Sequence, residues 1–262
     1  MSIDDPTAPS VARRGPGLII VDEARNRAEA TLLQRSGQLL AVGRTAEAMA
    51  GLRALADQPT TTVRAHAAAV LATLLVESGC AAEALDVLEG IPERGVTVDR
   101  GLIAMVRAQA LRRVGRRADA VAVAAEALAA GRSTERCLVY ATALIADDQA
   151  ERASVVLIEG LETSPDDVGL LGQCAGALAL SGQIAHSRAM LERLARHRAD
   201  TDPEWLRQWA WASTCLGDVV AGQAALDAAL ALDPAGTAAW VADDEVLMAR
   251  GVRVTECGRP SG

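Results

Sequence analysis

The chain contains no phenylalanine and no lysine, and it has one tyrosine, Tyr140, in 262 residues. Aromatic residues make up 2% of it while hydrophobic residues make up 50%, so a core must be built from Ala, Leu and Val instead of large rings. Alternating β-branched and aromatic runs bounded by turn residues are nearly absent, which excludes a sheet-based architecture and leaves an all-α class. Small aliphatic side chains suit that class, because they lose little freedom in a helix and let neighbouring backbones approach. The absence of lysine leaves arginine as the only strong base, read here as a coding bias. No apolar run approaches the ~18 residues needed to span a bilayer. The start, Met1-Ser2-Ile3-Asp4-Asp5-Pro6, carries acids where a secretory leader carries bases, and Leu18 to Val21 is too short for a leader core. These features predict a cytoplasmic protein without membrane association.

The residue types that carry chemistry are scattered. The net charge is −8 with a pI near 5.0, and this field repels a nucleic-acid backbone. The five cysteines, Cys80, Cys137, Cys174, Cys215 and Cys257, are odd in number and widely spaced, the pattern of reduced thiols serving as small hydrophobes. His66, His186 and His197 fall in different helical stretches and form no metal-ligand spacing. Gly15-Pro16-Gly17 lacks the later glycine and Lys-Ser or Lys-Thr of a phosphate cradle, and there is no Gly-x-Ser-x-Gly elbow. The carboxylate pairs Asp147-Asp148 and Asp166-Asp167 sit at turns, where they favour helix N-termini. The sequence therefore predicts no cofactor, no metal and no enzymatic activity.

What the chain has in abundance is self-similarity. A helical stretch, a tight turn and an Ala-rich second helix recur, with the turns at Gly43, Gly79, Gly115, Asp148, Gly182, Gly217 and Gly251, spaced by 33 to 36 residues. Five residues after the turn stands a small residue: Ala48, Ala84, Ala120, Ala153, Ser187 and Gly222. Nine after it stand Leu52, Leu88, Ala124, Leu157, Leu191 and Leu226. Seven before it stand Ser36, Ala72, Ala108, Ala141, Ala175 and Ala210, and four before it Leu39, Leu75, Leu111, Leu144 and Leu178, with Ser213 as the departure. The segment Ala224 to Trp240 ends with Asp233-Pro234, which stops one repeat and starts the next.

In period and in these small and apolar positions the chain resembles the tetratricopeptide repeats, whose unit is 34 residues long. The resemblance covers roughly residues 29 to 250. It implies a right-handed superhelical solenoid of about six helix-turn-helix repeats, closed by a capping helix from Thr237 to about Arg250 with Asp243, Asp244 and Glu245 on its solvated side. Residues 18 to 254 would form the solenoid, with disordered tails at 1 to 17 and 255 to 262. Departures are Asp148 in place of the turn glycine and a longer, irregular exit over Gly90 to Val98.

Stacked hairpins leave a trough lined by first helices. In the register that the resemblance implies, the trough carries Val70 and Thr73 in the second repeat, then Met105, Val106, Gln109 and Arg112 in the third. Leu138 and Thr142 follow in the fourth, Gln173 in the fifth, and Arg207 and Trp211 in the sixth. The Lys and Asn with which some family members hold a terminal carboxylate are absent. This largely apolar surface suits an amphipathic helix or extended peptide of a protein partner. Its own segment Leu18 to Val21 is an alternative cover. Trp209 and Trp240 fall on core positions, whereas Trp205 and Trp211 fall off them, which leaves Trp211 as an exposed interface anchor or as partly buried between repeats. The arginine cluster Arg112, Arg113, Arg116 and Arg117 is a solvated corner or a dock for an acidic segment. The functional expectation is an adaptor or scaffold that binds a partner in the trough; the alternative is a regulatory subunit of a separately encoded enzyme or transcription factor. Dimerisation through a terminal repeat is left open.

Overall fold

A residue in the left-handed region at the end of a helix lets the chain reverse and satisfies the last carbonyls. The computed structural model describes residues 16–57, 61–92, 98–198, 200–242 and 244–251, with side chains from residue 27 onward except at 245. Among them are fourteen helices and no strand. In order they are α1 (Pro16–Ala41), α2 (Thr45–Ala56), α3 (Thr62–Glu77), α4 (Ala81–Glu89), α5 (Arg100–Arg113), α6 (Arg117–Ala129) and α7 (Thr134–Ala146). There follow α8 (Ala150–Thr163), α9 (Val168–Leu180), α10 (Ile184–Arg196), α11 (Pro203–Cys215), α12 (Val219–Leu232), α13 (Pro234–Ala242) and α14 (Glu245–Ala249).

Every turn position aligned in the sequence is left-handed, from φ 58° at Asp148 to 90° at Gly217. In six of them the next residue's N–H donates to the carbonyl five positions back, at 2.8 to 2.9 Å: Arg44 to Leu39, Cys80 to Leu75, Arg116 to Leu111, Gln149 to Leu144, Gln183 to Leu178 and Asp218 to Ser213. That is the Schellman closure, and it accounts for the fixed spacing of the turns. Of the second helices, α2, α6, α8 and α10 begin without a side-chain cap, while Asp218 caps α12 by accepting from the Ala221 N–H at 3.0 Å. First helices follow looser loops and need one. Asp99, Ser133, Asp167 and Asp202 cap α5, α7, α9 and α11, accepting from Leu102, Arg136, Leu170 and Glu204 N–H groups.

The small positions are where the two helices of a hairpin cross. Ala48, Ala84, Ala120, Ala153, Ser187 and Gly222 are all buried, as are Ser36, Ala72, Ala108, Ala141, Ala175 and Ala210. In the fifth repeat Ser187 Oγ donates to the Ala175 carbonyl at 2.7 Å across the crossing. The leucines four before and nine after the turn fill the space beside it, and of those only Leu39 and Leu191 are half-buried instead of buried.

The chain divides into two compact units, Met1–Leu71 with Gly90–Thr97, and Ala72–Glu89 with Val98–Gly262. In the first, α1 and α2 pair across Ser36 and Gly51, where a Cβ on Gly51 would lie 2.7 Å from the Ser36 hydroxyl. Buried Glu29 accepts from Thr61 Oγ1 at 3.1 Å and from Arg64 Nε at 2.7 Å, tying α1 to the start of α3. In the second, the hairpins α5–α6, α7–α8, α9–α10 and α11–α12 follow one another, each second helix packing on the next first helix. The first helices α5, α7, α9 and α11 lie side by side. One apolar core runs from Cys137 to Leu247, so no hairpin hides its apolar face alone.

Two expectations are corrected. The last helix does not run unbroken to Arg250: it stops at Ala242, and Asp244 starts α14 by accepting from the Val246 and Leu247 N–H groups, both at 3.0 Å. An aspartate offered to the backbone competes with continuing the helix, and here it wins. Trp211 is not an exposed anchor but 2% exposed, and Trp205 is buried with its Nε1 donating to the Leu194 carbonyl at 3.0 Å. Of the expected tails at 1–17 and 255–262, residues 1–15 and 255–262 lie outside the described residues, and α1 already begins at Pro16.

Candidate functional site

In the second unit the first-helix wall holds a cavity of about 460 Å³. Gln109 and Arg112 of α5, Leu138, Val139 and Thr142 of α7, Gln173 of α9 and Trp211 of α11 line one side of it. Trp240 of α13, Val246, Ala249 and Arg250 of α14 and its flank, Arg117 of α6 and Asp148 of the turn complete it. The volume lies within the range of pockets that hold small ligands or a few inserted side chains.

The far wall depends on the break before α14. Leu247 is fully buried, and Arg250 Nη1 donates to the carbonyls of Thr214 at 3.2 Å and Cys215 at 2.9 Å. Those carbonyls lie at the C-terminus of α11, where Thr214 also accepts from the Gly217 N–H at 3.0 Å, so the cation adds a partner and favours the negative end of the helix dipole. The five-residue α14 is thereby pinned against α11, with Val246 and Ala249 turned to the cavity wall.

Along α11 the polar atoms are less well served. Gln208 Nε2 donates to Glu204 Oε1 at 2.8 Å, but Gln208 Oε1, Trp211 Nε1 and Thr214 Oγ1 are buried without a partner. Each lies against a glycine. A Cβ on Gly172 would stand 2.6 Å from Gln208 Oε1, one on Gly176 2.1 Å from Trp211 Nε1, and one on Gly222 2.2 Å from Thr214 Oγ1. The glycines of α9 and α12 are notches that receive the bulky polar face of α11.

Of the residues expected in the trough, the structure brings Gln109, Arg112, Leu138, Thr142, Gln173 and Trp211 together around the cavity. Met105 is half-buried and Val106 buried on α5, outside it. Thr73 is half-buried near the end of α3, and Val70 belongs to the first unit. Arg207 pairs with Glu204 at 2.9 Å and Asp233 at 3.1 Å, linking α11 to the cap of α13. Trp240, assigned to the core by register, is half-buried in the cavity wall, and Trp209 stacks on Trp205 with ring centroids 5.2 Å apart. Arg117 belongs to the arginine cluster singled out as a possible dock, whereas the register of the repeat gives no place in the trough to Asp148 or to α14. The signal available for α14 is Asp244, an aspartate placed to cap a new helix, which the repeat register puts on a solvated side.

Cys137, Cys174 and Cys215 are buried and free, and Cys80 is exposed. Burial pushes the Cys137 and Cys215 thiols up, and that of Cys174 to about 12. None is poised as a nucleophile. Among the described residues no group of three or more His, Cys, Asp or Glu could hold a metal ion, and no helix is long and apolar enough to cross a membrane. His197 approaches Asp166 at 3.4 Å, and His66 and His186 are exposed.

No family model and no curated protein matches the sequence. Among solved structures, a mutant of MamA is similar at 15% identity over 65% of this chain and 98% of that one, with a TM-score of 0.44. A likeness so distant says nothing of function; the repeat assignment stands on the turns and crossings described above.

Proposed function

We propose that this protein is an interaction scaffold whose first-helix wall, in the second unit, holds a segment of a partner protein. The observation that carries the reading is the cavity among α5, α7, α9, α11 and α14, which combines apolar side chains with Gln109, Thr142 and Gln173 at its edge. Apolar walls supply most of the binding free energy, and a few polar groups fix orientation. Hairpins locked by turns and small-residue crossings form such a surface in advance, so binding orders little of the protein and modest contacts suffice. The chemistry expected is recognition without bond making.

The test is to identify the protein that co-purifies with the native chain and titrate it against wild type and Leu138→Glu. Leu138 is half-buried in the cavity wall, so a carboxylate there opposes an apolar guest while leaving the hairpin core in place. Binding should fall at least tenfold with an unchanged circular dichroism spectrum. Equal binding by both proteins would refute the assignment of the wall.

A further inference from the structure

We infer that the cavity holds its guest as an extended chain that crosses α5, α7 and α9, paired through its main chain to Gln109, Thr142 and Gln173. This rests on the scaffold reading above and names the conformation and chemistry of the guest.

The three side chains stand on three successive first helices, and all line the cavity. Gln109 and Thr142 each lie six residues before their turns at Gly115 and Asp148, and Gln173 lies one helical turn earlier in its own repeat. The row they form therefore runs across the helices and not along them. Packed helix axes lie about 8–10 Å apart and an extended chain rises about 3.3 Å per residue, so it passes from one helix to the next in about three residues. A segment of about six residues reaches from Gln109 to Gln173.

Each of the three is half-buried, neutral and without a hydrogen-bond partner among the described residues. A glutamine amide and a threonine hydroxyl both donate and accept. Water serves them until a guest displaces it, and a guest that leaves them unpaired forfeits those bonds. An extended main chain restores them, because it offers unpaired N–H and C=O groups whatever its sequence. A helix has paired its own groups internally and presents side chains alone. Leu138 and Val139, one turn before Thr142 on α7, form the apolar part of the wall with Trp240 and Val246. One apolar side chain of the guest enters there, between the points at which its main chain is held. The wall thus selects for conformation first and for sequence at a single position.

The experiment uses the full-length protein and a library of random decapeptides displayed on phage, depleted beforehand on Leu138→Glu so that only cavity binders are kept. The kept peptides are synthesised with both ends capped, and affinities are read by calorimetry. Gln109→Met, Thr142→Val and Gln173→Met preserve the shape of each side chain while removing its hydrogen bonding. Together they should weaken binding about tenfold or more, with an unchanged circular dichroism spectrum. Peptide amides are then replaced one at a time by esters, which removes one N–H and leaves the side chains alone. At least two replacements should weaken binding to the wild type about threefold or more and have no effect on the variant lacking the matching Gln or Thr, a coupling that a merely structural role would not give. Equal binding by the triple variant, ester costs that are the same in wild type and variants, chemical shifts of the bound peptide that mark a helix, or a library from which nothing is kept each overturn the inference. So does a dimer of the free protein that the peptide dissociates, which gives the wall to a second copy, or a tenfold gain in peptide affinity on removal of residues 252–262, which gives it to the chain's own end. If Leu138→Glu still removes binding of the co-purifying partner in these cases, the scaffold reading stands while this account of its guest falls.

Discussion

Gly176→Ala should destabilise the protein although it replaces glycine by the best helix former in the middle of a helix. On propensity alone the change is worth about 1 kcal/mol in favour of folding. Against it stands the geometry: a Cβ at 176 would lie 2.1 Å from Trp211 Nε1, 2.7 Å from Cε2 and 2.9 Å from Cδ1. The ring is buried and cannot swing into solvent, so either α9 and α11 separate or the indole leaves its rotamer. Overpacking of this kind costs about 1–3 kcal/mol, and so short a contact belongs at the upper end. The net loss is roughly 2 kcal/mol, a fall in Tm of about 4–8 °C for a unit of this size by scanning calorimetry. Gly37→Ala in α1 is the control, because nothing lies within 4 Å of its added Cβ; it should gain up to about 1 kcal/mol. Trp211→Phe removes the edge that fills the notch, so it should cost less in the Gly176→Ala background, with a coupling of at least about 0.5 kcal/mol. If Gly176→Ala stabilises as Gly37→Ala does, or adds strictly to Trp211→Phe, the notch account is wrong.

At the fourth turn Asp148 holds φ 58° where the other turns have glycine, so Asp148→Gly should stabilise by about 0.5–1 kcal/mol and Gly182→Ala destabilise by about 1 kcal/mol, read as opposite shifts of the urea midpoint. Arg250→Ala removes the donor to the Thr214 and Cys215 carbonyls; it should cost about 1–2 kcal/mol and accelerate amide exchange in α14, and unchanged exchange there would count against the pinning of that helix. In a Cys257→Ser background a thiol reagent should label Cys80 at once and Cys137, Cys174 and Cys215 only on unfolding; early labelling of a second thiol would contradict their burial. Because burial raises the Cys174 thiol from 9.0 to about 12, the folded chain holds that proton more tightly than the unfolded chain. The resulting stability is intact below pH 9 and is lost as pH climbs from 9 toward 12. Cys174→Ala should therefore flatten the fall of the urea midpoint between pH 8 and pH 10.5.

The repeat was legible because its two requirements are local and severe. A left-handed residue must end each first helix, and a side chain no larger than serine must stand where the helices of a hairpin cross; both leave a mark at a fixed offset along the chain. Asp148 was readable as a turn residue for the same reason, since aspartate is among the few residues that tolerate that conformation. The tryptophans were misplaced because their burial is decided elsewhere. Register put Trp211 off the core, yet Gly176, on the helix before it in the wall, opens the space that buries it. No window along the sequence contains both a side chain and the notch that receives it. The cavity was half legible in the same sense: the first-helix positions on α5, α7, α9 and α11 follow from periodicity, but the wall made by α14 follows from a helix break and from an arginine reaching back 35 residues to a carbonyl.

The helix that breaks the rules of the repeat is also the one that bears on the proposed site. Through most of the second unit the crossings are apolar or, as at Ser187, polar and satisfied. On α11, Gln208, Trp211 and Thr214 instead present buried polar atoms to glycines, and an unmade buried hydrogen bond costs about 1–3 kcal/mol. Of these three residues Trp211 also lines the cavity, while Gln208 and Thr214 are buried away from it. Close packing of α9 and α12 against α11 offsets that cost, and it does so only while Gly172, Gly176 and Gly222 carry no side chain.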